Sequence, residues 1–198
     1  PLAMADGSRG ALWTREEYLA WEERQERRHE FVAGRIVAMT GARNRHELIR
    51  GEIFYELKRQ LRRKGPCEPF GPDTKVAIPN GNIRYPDVVV DCDPDRDQNS
   101  QFAATPTVIF EVLSPSNRWL DRERKLADYQ QIEACRVIVV VWSTAARLEV
   151  LARTDDGAWA SAAEVFEGRD AVALLPAIGA ELALGEVYAG FSDADLPD

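Results

Sequence analysis

The stretch IRYPDVVVDCDP, residues 83–94, sets an acidic residue, Asp87, at the beginning of a run of valines. A similar pattern follows in TVIFEVLSPSN, residues 107–117, where Glu111 lies within an otherwise apolar strand. Burying an ionised carboxylate without a partner costs several kcal/mol. A salt bridge, protonation of the acid or a bound metal ion could each compensate for that cost.

The segments around these two strands predict a core in the order helix, three strands, helix, strand. Apolar residues recur every fourth position from Ile49, as on the buried face of a helix. The predicted elements are a helix over residues 44–64, strands over 73–79, 83–91 and 107–113, a helix from 114–117 to 134, and a strand over 136–142. The first two strands flank an Asn-Gly-Asn turn and are expected to form a hairpin. The last strand, helix and strand predict a right-handed crossover with parallel strands.

The ends of the chain add elements to this core. Residues 14–25 open with Thr14 and two acids, which indicates a capped helix. Residues 29–39 alternate around Gly34 and predict a short hairpin. Beyond residue 146, short alternating runs with turns at Asp155–Gly157 and Glu167–Arg169 predict an antiparallel extension. The expected fold class is therefore α/β (α+β) with a mixed central sheet.

Length and composition indicate one globular domain. The chain has 198 residues, of which 45% are hydrophobic, and we assign the domain to residues 5–198. Residues 1–4, PLAM, are interpreted as an expression scar. We expect no membrane segment, since no apolar run approaches the roughly 20 residues needed. The three cysteines are far apart and odd in number, so we expect no disulfide framework and a cytoplasmic location.

The net charge of −8 disfavours a protein that coats nucleic acid without specificity. Basic residues are nevertheless concentrated in residues 43–64 and 117–125. These runs are consistent with a local basic patch on an enzyme, and equally with solvated helix faces.

Two carboxylates on neighbouring strands could converge on one point and offer oxygen ligands to a hard cation. Magnesium uses few protein ligands and keeps waters, which leaves room for a substrate phosphate. Lys125 lies on the helix that follows the Glu111 strand, and a crossover helix packs back over its sheet. A lysine there could orient an attacking water and stabilise the charge that develops on the phosphate.

The order Pro86-Asp87 followed by Glu111 resembles the PD-(D/E)xK nuclease superfamily. The wider pattern resembles the Uma2 family, the restriction endonuclease-like DUF820 group. The matching segments cover nearly the whole chain: REEYLAWEE, HEFVAGRIVAM, RHELIRGEIFYEL, YPDVVVDCDP, TVIFEVLSPSN, DRERKLADYQQI and LPAIGAELALGEVYAG. One position departs from the superfamily pattern, because Leu113 stands where the lysine of ExK is usually found.

The resemblance implies a restriction-endonuclease-like αβββαβ core and a metal-dependent DNA endonuclease that uses Mg²⁺ or Mn²⁺. It implies that Asp87 and Glu111 are the metal ligands and that Lys125 is the catalytic lysine, moved onto the helix. Glu30 and His46 would be supporting residues. A homodimer is expected, because cutting both strands of a duplex favours two sites related by a two-fold axis.

Each of these residues also has a structural interpretation. Asp87 could cap a loop, and Glu111 could form a buried ion pair with an arginine such as Arg84. Lys125 could be a surface residue of its helix, and His46 a solvated helix cap. Four further residues are less informative: Asp73 and Lys75 could face the same cleft or solvent, and Ser114 and Ser116 are interpreted as turn and cap residues rather than nucleophiles.

Two other functions remain open at this point. The fold could serve as a non-catalytic module that binds nucleic acid or protein, which the missing ExK lysine and the acidic charge favour. Alternatively, the site could act on RNA or on a small phosphodiester.

Overall fold

The structure is a computed structural model that describes residues 12–39, 41, 43–113, 119–192, 195 and 196. Ser114, Ser116 and the predicted scar lie outside the described residues. The helices are α1 (Arg15–Glu22), α2 (Asn44–Leu61), α3 (Trp119–Tyr129) and α4 (Leu184–Val187), with a 3-10 turn at Pro176–Ile178. The strands are β1 (His29–Val32), β2 (Arg35–Ala38), β3 (Glu68–Phe70), β4 (Val76–Ala77), β5 (Ile83–Arg84), β6 (Val88–Asp91), β7 (Pro106–Leu113), β8 (Val137–Trp142), β9 (Arg147–Ala152), β10 (Glu164–Glu167), β11 (Val172–Leu175) and β12 (Ala180–Ala183).

A mixed sheet of six strands forms the centre of the molecule, in the order β10-β9-β8-β7-β6-β3. Strands β7 and β8 run parallel, as predicted for the crossover, and their neighbours pair antiparallel. Successive side chains of a strand point to opposite faces. Phe110 of β7 packs with Ile53 of α2, whereas Ile109 packs with Tyr129 of α3. The two helices therefore cover opposite faces of the sheet.

The strand predicted over residues 83–91 is two strands in two different sheets. Residues 85–87 separate β5 from β6, and Pro86 has no backbone N–H to continue a ladder. Strand β5 pairs with β4 in the predicted hairpin, but this hairpin joins β1 and β2 in a separate sheet of order β2-β1-β5-β4. The first strand of the αβββαβ core is instead β3, which pairs with β6 at the sheet edge.

The prediction that the cysteines form no disulfide is wrong. Cys67 and Cys92 are joined by an S–S bond of 2.06 Å. The physical reason is the antiparallel pairing of Glu68 with Asp91, which sets the residues just outside this pair opposite each other. Cys135 is free and buried.

The helix predictions are confirmed, with shorter ends. Thr14 accepts a hydrogen bond from the Glu17 N–H while the Glu17 carboxylate accepts one from the Thr14 N–H, a capping box that begins α1. Helix α2 ends at Leu61 rather than at 64. Helix α3 ends at Tyr129 rather than at 134, because the chain makes turns there, with the Ile132 N–H bonded to the Tyr129 carbonyl at 3.1 Å.

The C-terminal region is an antiparallel extension, as predicted. Strands β9 and β10 continue the central sheet, while β11 and β12 form their own two-stranded sheet. Strand β12 and α4 contact α2. Within the described part of the chain, none of the helices has the length and apolar character required to cross a membrane.

We expect Ile53→Ala to lower the free energy of unfolding by about 2–5 kcal/mol, because Ile53 is 0% exposed between α2 and the sheet. Leu48→Ala is the matched control on the same helix, where the leucine is 52% exposed. Its effect should stay within about 1 kcal/mol. Urea unfolding measures both, and equal effects would contradict the packing described for α2.

Candidate active site

The register of two central strands sets Asp87 beside Glu111. Val88 of β6 pairs with Phe110 of β7 in the antiparallel ladder. One step further along this register lie Asp87 and Glu111, and directly opposite residues have side chains on the same face. The Val112 N–H donates a hydrogen bond of 2.7 Å to Asp87 Oδ2. The structure therefore brings the two predicted acids together at the end of the β6–β7 ladder.

Glu111 is buried on its strand, with 6% exposure, and helix α3 supplies two partners for its side chain. Lys125 Nζ lies 3.0 Å from Oε2 and 3.2 Å from Oε1, and the Tyr129 hydroxyl donates to Oε1 at 2.5 Å. Burial raises the pKa of Glu111 to about 7, with Lys125 opposing and the Asp87 charge adding to this shift. Glu111 is thus a carboxyl whose charge depends on its immediate partners.

Lys125 bridges two acids at the edge of a cleft. Its Nζ lies 3.4 Å from Glu30 Oε1 in addition to its contact with Glu111, and its side chain is 22% exposed. Burial alone would lower the pKa of Lys125, but the carboxylates of Glu111 and Glu30 outweigh it and raise the pKa. The ammonium group is therefore charged at neutral pH.

His46 lies in the first turn of α2 and holds Asp87 from the other side. Its Nε2 is 2.8 Å from Asp87 Oδ1. Burial would lower the pKa of His46, but the hydrogen bond and charge of Asp87 raise it above the ordinary value. An imidazolium that donates to the carboxylate is thereby favoured, so His46 is a partner of Asp87 rather than a solvated cap.

Behind Lys125, Glu30 belongs to a buried network of charged groups. Arg84 donates to Glu30 Oε2 at 2.8 Å and to Asp128 Oδ2 at 2.7 Å. Burial would raise the pKa of Glu30, but the charges of Lys125 and Arg84 lower it. The ion pair between Glu111 and Arg84, considered as an alternative, does not form, because Arg84 is taken up by Glu30 and Asp128.

Charged and apolar side chains together line the cleft next to Lys125. It is lined by Glu111, Leu113, Arg122, Lys125, Leu126 and Val140. Leu113, the residue at the usual ExK lysine position, thus lies in the same cleft as Lys125. A lysine from helix α3 and the expected lysine from the strand would therefore reach the same space.

Two other residues considered for the cleft lie elsewhere. Lys75 is buried, with its Nζ 3.1 Å from Glu22, and Asp73 pairs with Arg28 at 3.0 Å on the surface. Conversely, Tyr129 and Asp128 are not among the residues that the sequence analysis singled out. The available signal was their spacing, since both follow Lys125 by about one turn on the buried side of α3.

The donor set fits magnesium or manganese rather than a metal bound by a protein cage. Among the residues that the structure describes, no group of three or more His, Cys, Asp or Glu side chains could hold a metal ion. Magnesium, however, needs only one or two carboxylates and takes its other ligands from water and substrate. Asp87 and Glu111 provide two such acids, and the Asp87 charge adds to the raised pKa of Glu111, a repulsion that a cation would relieve.

Comparison with known proteins gives relatives over most of the chain. An uncharacterized protein of Synechocystis sp., slr1290, is 34% identical over 178 residues, which are 89% of this chain and 92% of the relative. A second one, sll1609, is 30% identical over 151 residues, 75% of this chain and 85% of the relative.

The fold is also found in a solved structure. A crystal structure from Anabaena variabilis, described as a putative nuclease belonging to DUF820, matches with a TM-score of 0.73 over 89% of this chain and 97% of that one. Its sequence identity of 16% limits this likeness to the fold. The model of the Uma2 family, described as "Putative restriction endonuclease", matches residues 15–185. The chain therefore belongs to the Uma2 family.

Proposed function

We propose that the protein is a metal-dependent endonuclease that hydrolyses phosphodiester bonds of DNA. The proposal is supported by the family, whose description is "Putative restriction endonuclease", and by a fold found in a protein described as a putative nuclease. The observation that carries it is the position of Lys125, whose ammonium lies 3.0 Å from Glu111 on the face that Asp87 shares.

In this proposal, Asp87 and Glu111 hold Mg²⁺ or Mn²⁺. The bound cation would supply Lewis-acid polarisation of the phosphate and a more acidic water. Lys125 orients the attacking water and stabilises the negative charge that develops on the phosphate oxygens. His46 fixes the orientation of Asp87, and Glu30 holds Lys125 from the side away from Glu111.

A non-catalytic binding module is the second candidate, and a specific observation favours it. Both acids already have protein partners: His46 and Val112 for Asp87, and Lys125 and Tyr129 for Glu111. Both carboxylates therefore have hydrogen-bond partners from the protein without a cation. The net charge of −8 also disfavours tight contact with a polyanion.

The remaining expectations belong to the same proposal. RNA or a small phosphodiester is an alternative substrate. We propose a single domain over residues 5–198 that forms a homodimer, for which the exposed Val172 and Leu174 of β11 offer apolar surface. A cytoplasmic location is retained as a proposal, although the Cys67–Cys92 bond removes the cysteine argument for it.

The cleavage assay tests the enzyme proposal. We expect Asp87→Ala, Glu111→Ala and Lys125→Ala each to reduce metal-dependent cutting of supercoiled plasmid by about 100-fold or more, because each removes a charge placed at the reacting phosphate. Glu123→Ala and Lys64→Ala remove exposed charges and should cut like wild type.

Single-stranded DNA and RNA are assayed in parallel. No cutting by wild type with Mg²⁺ or Mn²⁺ favours the binding module, and equal cutting by all variants identifies a contaminant.

The metal site can be tested without any substrate. We expect about 10 mM Mg²⁺ to raise the thermal unfolding midpoint of the wild type by about 2 °C or more, since a cation that binds only the folded chain stabilises it. Asp87→Asn should abolish this shift, and Glu123→Gln should retain it. A shift of the same size in Asp87→Asn would place the cation elsewhere.

The raised pKa of Glu111 gives a pH-dependent stability. Burial raises this pKa from 4.5 to about 7, so between these values the folded chain holds a proton that the unfolded chain has released. The free energy of unfolding contributed by Glu111 therefore decreases as the pH rises through this window. In EDTA, wild type should lose on the order of 2 kcal/mol between about pH 4.5 and 7.5 relative to Glu111→Gln. Urea unfolding measures this, and parallel pH curves would contradict it.

A further inference from the structure

We propose that Arg84 and Asp128 are positioning residues that hold Lys125 against the two acids, acting through Glu30. The inference rests on the proposed function, in which Lys125 takes part in the reaction. Neither Arg84 nor Asp128 lines the cleft, so their effect has to pass through the groups that they contact.

The side chains of Lys125, Glu30, Arg84 and Asp128 are linked in series, and α3, which carries both Lys125 and Asp128, closes the series into a ring. Lys125 Nζ lies 3.4 Å from Glu30 Oε1, and Arg84 donates to Glu30 Oε2 at 2.8 Å. The same guanidinium contacts Asp128 Oδ2 through Nε and through a second nitrogen, each at 2.7 Å. Asp128 follows Lys125 by three residues on the same helix, so the ring ties one turn of α3 to strands β1 and β5.

Burial makes this ring rigid. Glu30, Arg84 and Asp128 are 6%, 3% and 5% exposed, and charges alternate from one member to the next. The side-chain amide of Asn82 donates to both oxygens of Asp128, at 3.1 and 3.0 Å. Removing one member would leave another charge buried without a partner, which is strongly unfavourable. Each member is therefore held in one position.

The ring also fixes the segment that carries the first acid. Arg84 is three residues before Asp87, and the Tyr85 N–H between them donates to Glu30 Oε1 at 3.4 Å. The same carboxylate thus contacts the lysine and the chain that leads into Asp87. Lys125 and the segment that precedes Asp87 both contact Glu30. The ring therefore sets the distance between Lys125 and the two acids.

In a purely structural ion-pair cluster, we would expect every member to be buried and none to line a cleft. Of the four members, Lys125 has the largest exposure, with 22% of its side chain accessible, and it lines the cleft. The planar fork of Arg84 is required for the ring, because one guanidinium reaches both Glu30 and Asp128. A lysine there would keep the charge and lose this geometry.

The test uses the full chain and two readouts. The first is the acetylation rate of Lys125 by acetic anhydride, measured by mass spectrometry relative to exposed Lys64 in the same sample. We expect Asp128→Asn and Arg84→Lys to raise this ratio about tenfold, the factor that corresponds to one charge-assisted hydrogen bond. Glu123→Gln makes the same charge change at an exposed position of α3 and should leave the ratio unchanged. Asp128→Glu keeps the charge and should restore most of the protection.

The second readout is plasmid cleavage, with kcat and KM separated. Asp128→Asn should lower kcat about tenfold and leave KM within about twofold, because Asp128 does not line the cleft. Both readouts are taken on all variants at one temperature, about 15 °C below the lowest unfolding midpoint among them, so that every variant is folded.

The two readouts separate this inference from the proposed function. An unchanged acetylation ratio in both Asp128→Asn and Arg84→Lys overturns the positioning role, whatever the enzyme does. A raised ratio supports it even if wild type cuts no DNA, in which case the nuclease proposal fails alone. A raised ratio with unchanged kcat overturns the contribution of the ring to the reaction.

Discussion

A carboxylate on a buried strand has to be matched by groups from another element, and Glu111 shows how this requirement organises the molecule. Its strand, β7, is one of the two middle strands of the six-stranded sheet, with α2 and α3 on opposite faces. The match comes from α3, where Lys125 and Tyr129 are one turn apart and both contact Glu111. The crossover that connects β7 to β8 is therefore also the element that supplies the countercharge. The same helix, α3, packs on the sheet and supplies the partners of Glu111.

The second constraint is the step of the chain from one sheet to the other. The segment between β5 and β6 leaves the four-stranded sheet and enters the central one, and Asp87 is its last residue. Glu30 and Arg84 belong to the smaller sheet, while Glu111 belongs to the larger. The site thus lies where the two sheets meet, and its charged groups connect them. A helix N-terminal residue, His46, completes this junction from the side of α2.

Much of the core could be predicted from the sequence because apolar patterns reflect burial. The stripe from Ile49 on α2 and the apolar runs of β7 and β8 predicted the layers of the core. An acid at the start of one apolar run and an acid within another pointed to Asp87 and Glu111. Pairing partners were harder to predict. Strand β3 is only Glu68–Phe70 and contains a proline, so no alternation marks it. Without β3, the opposition of Cys67 and Cys92 could not be foreseen. Tyr129 resembles a core residue, and only its contact with Glu111 reveals a polar role.

Pro86, between the two sheets, affects how displacements and insertions in the small sheet act on the site. Pro86 separates Arg84, anchored in one sheet, from Asp87, placed in the other, by a segment too short to absorb displacement. A shift of the small sheet would be transmitted almost undiminished to the acid pair. Insertions in the hairpin of β4 and β5, where Asn82 contacts Asp128, would therefore displace groups of the site. The four-stranded sheet therefore sets the position of Asp87 relative to the six-stranded sheet.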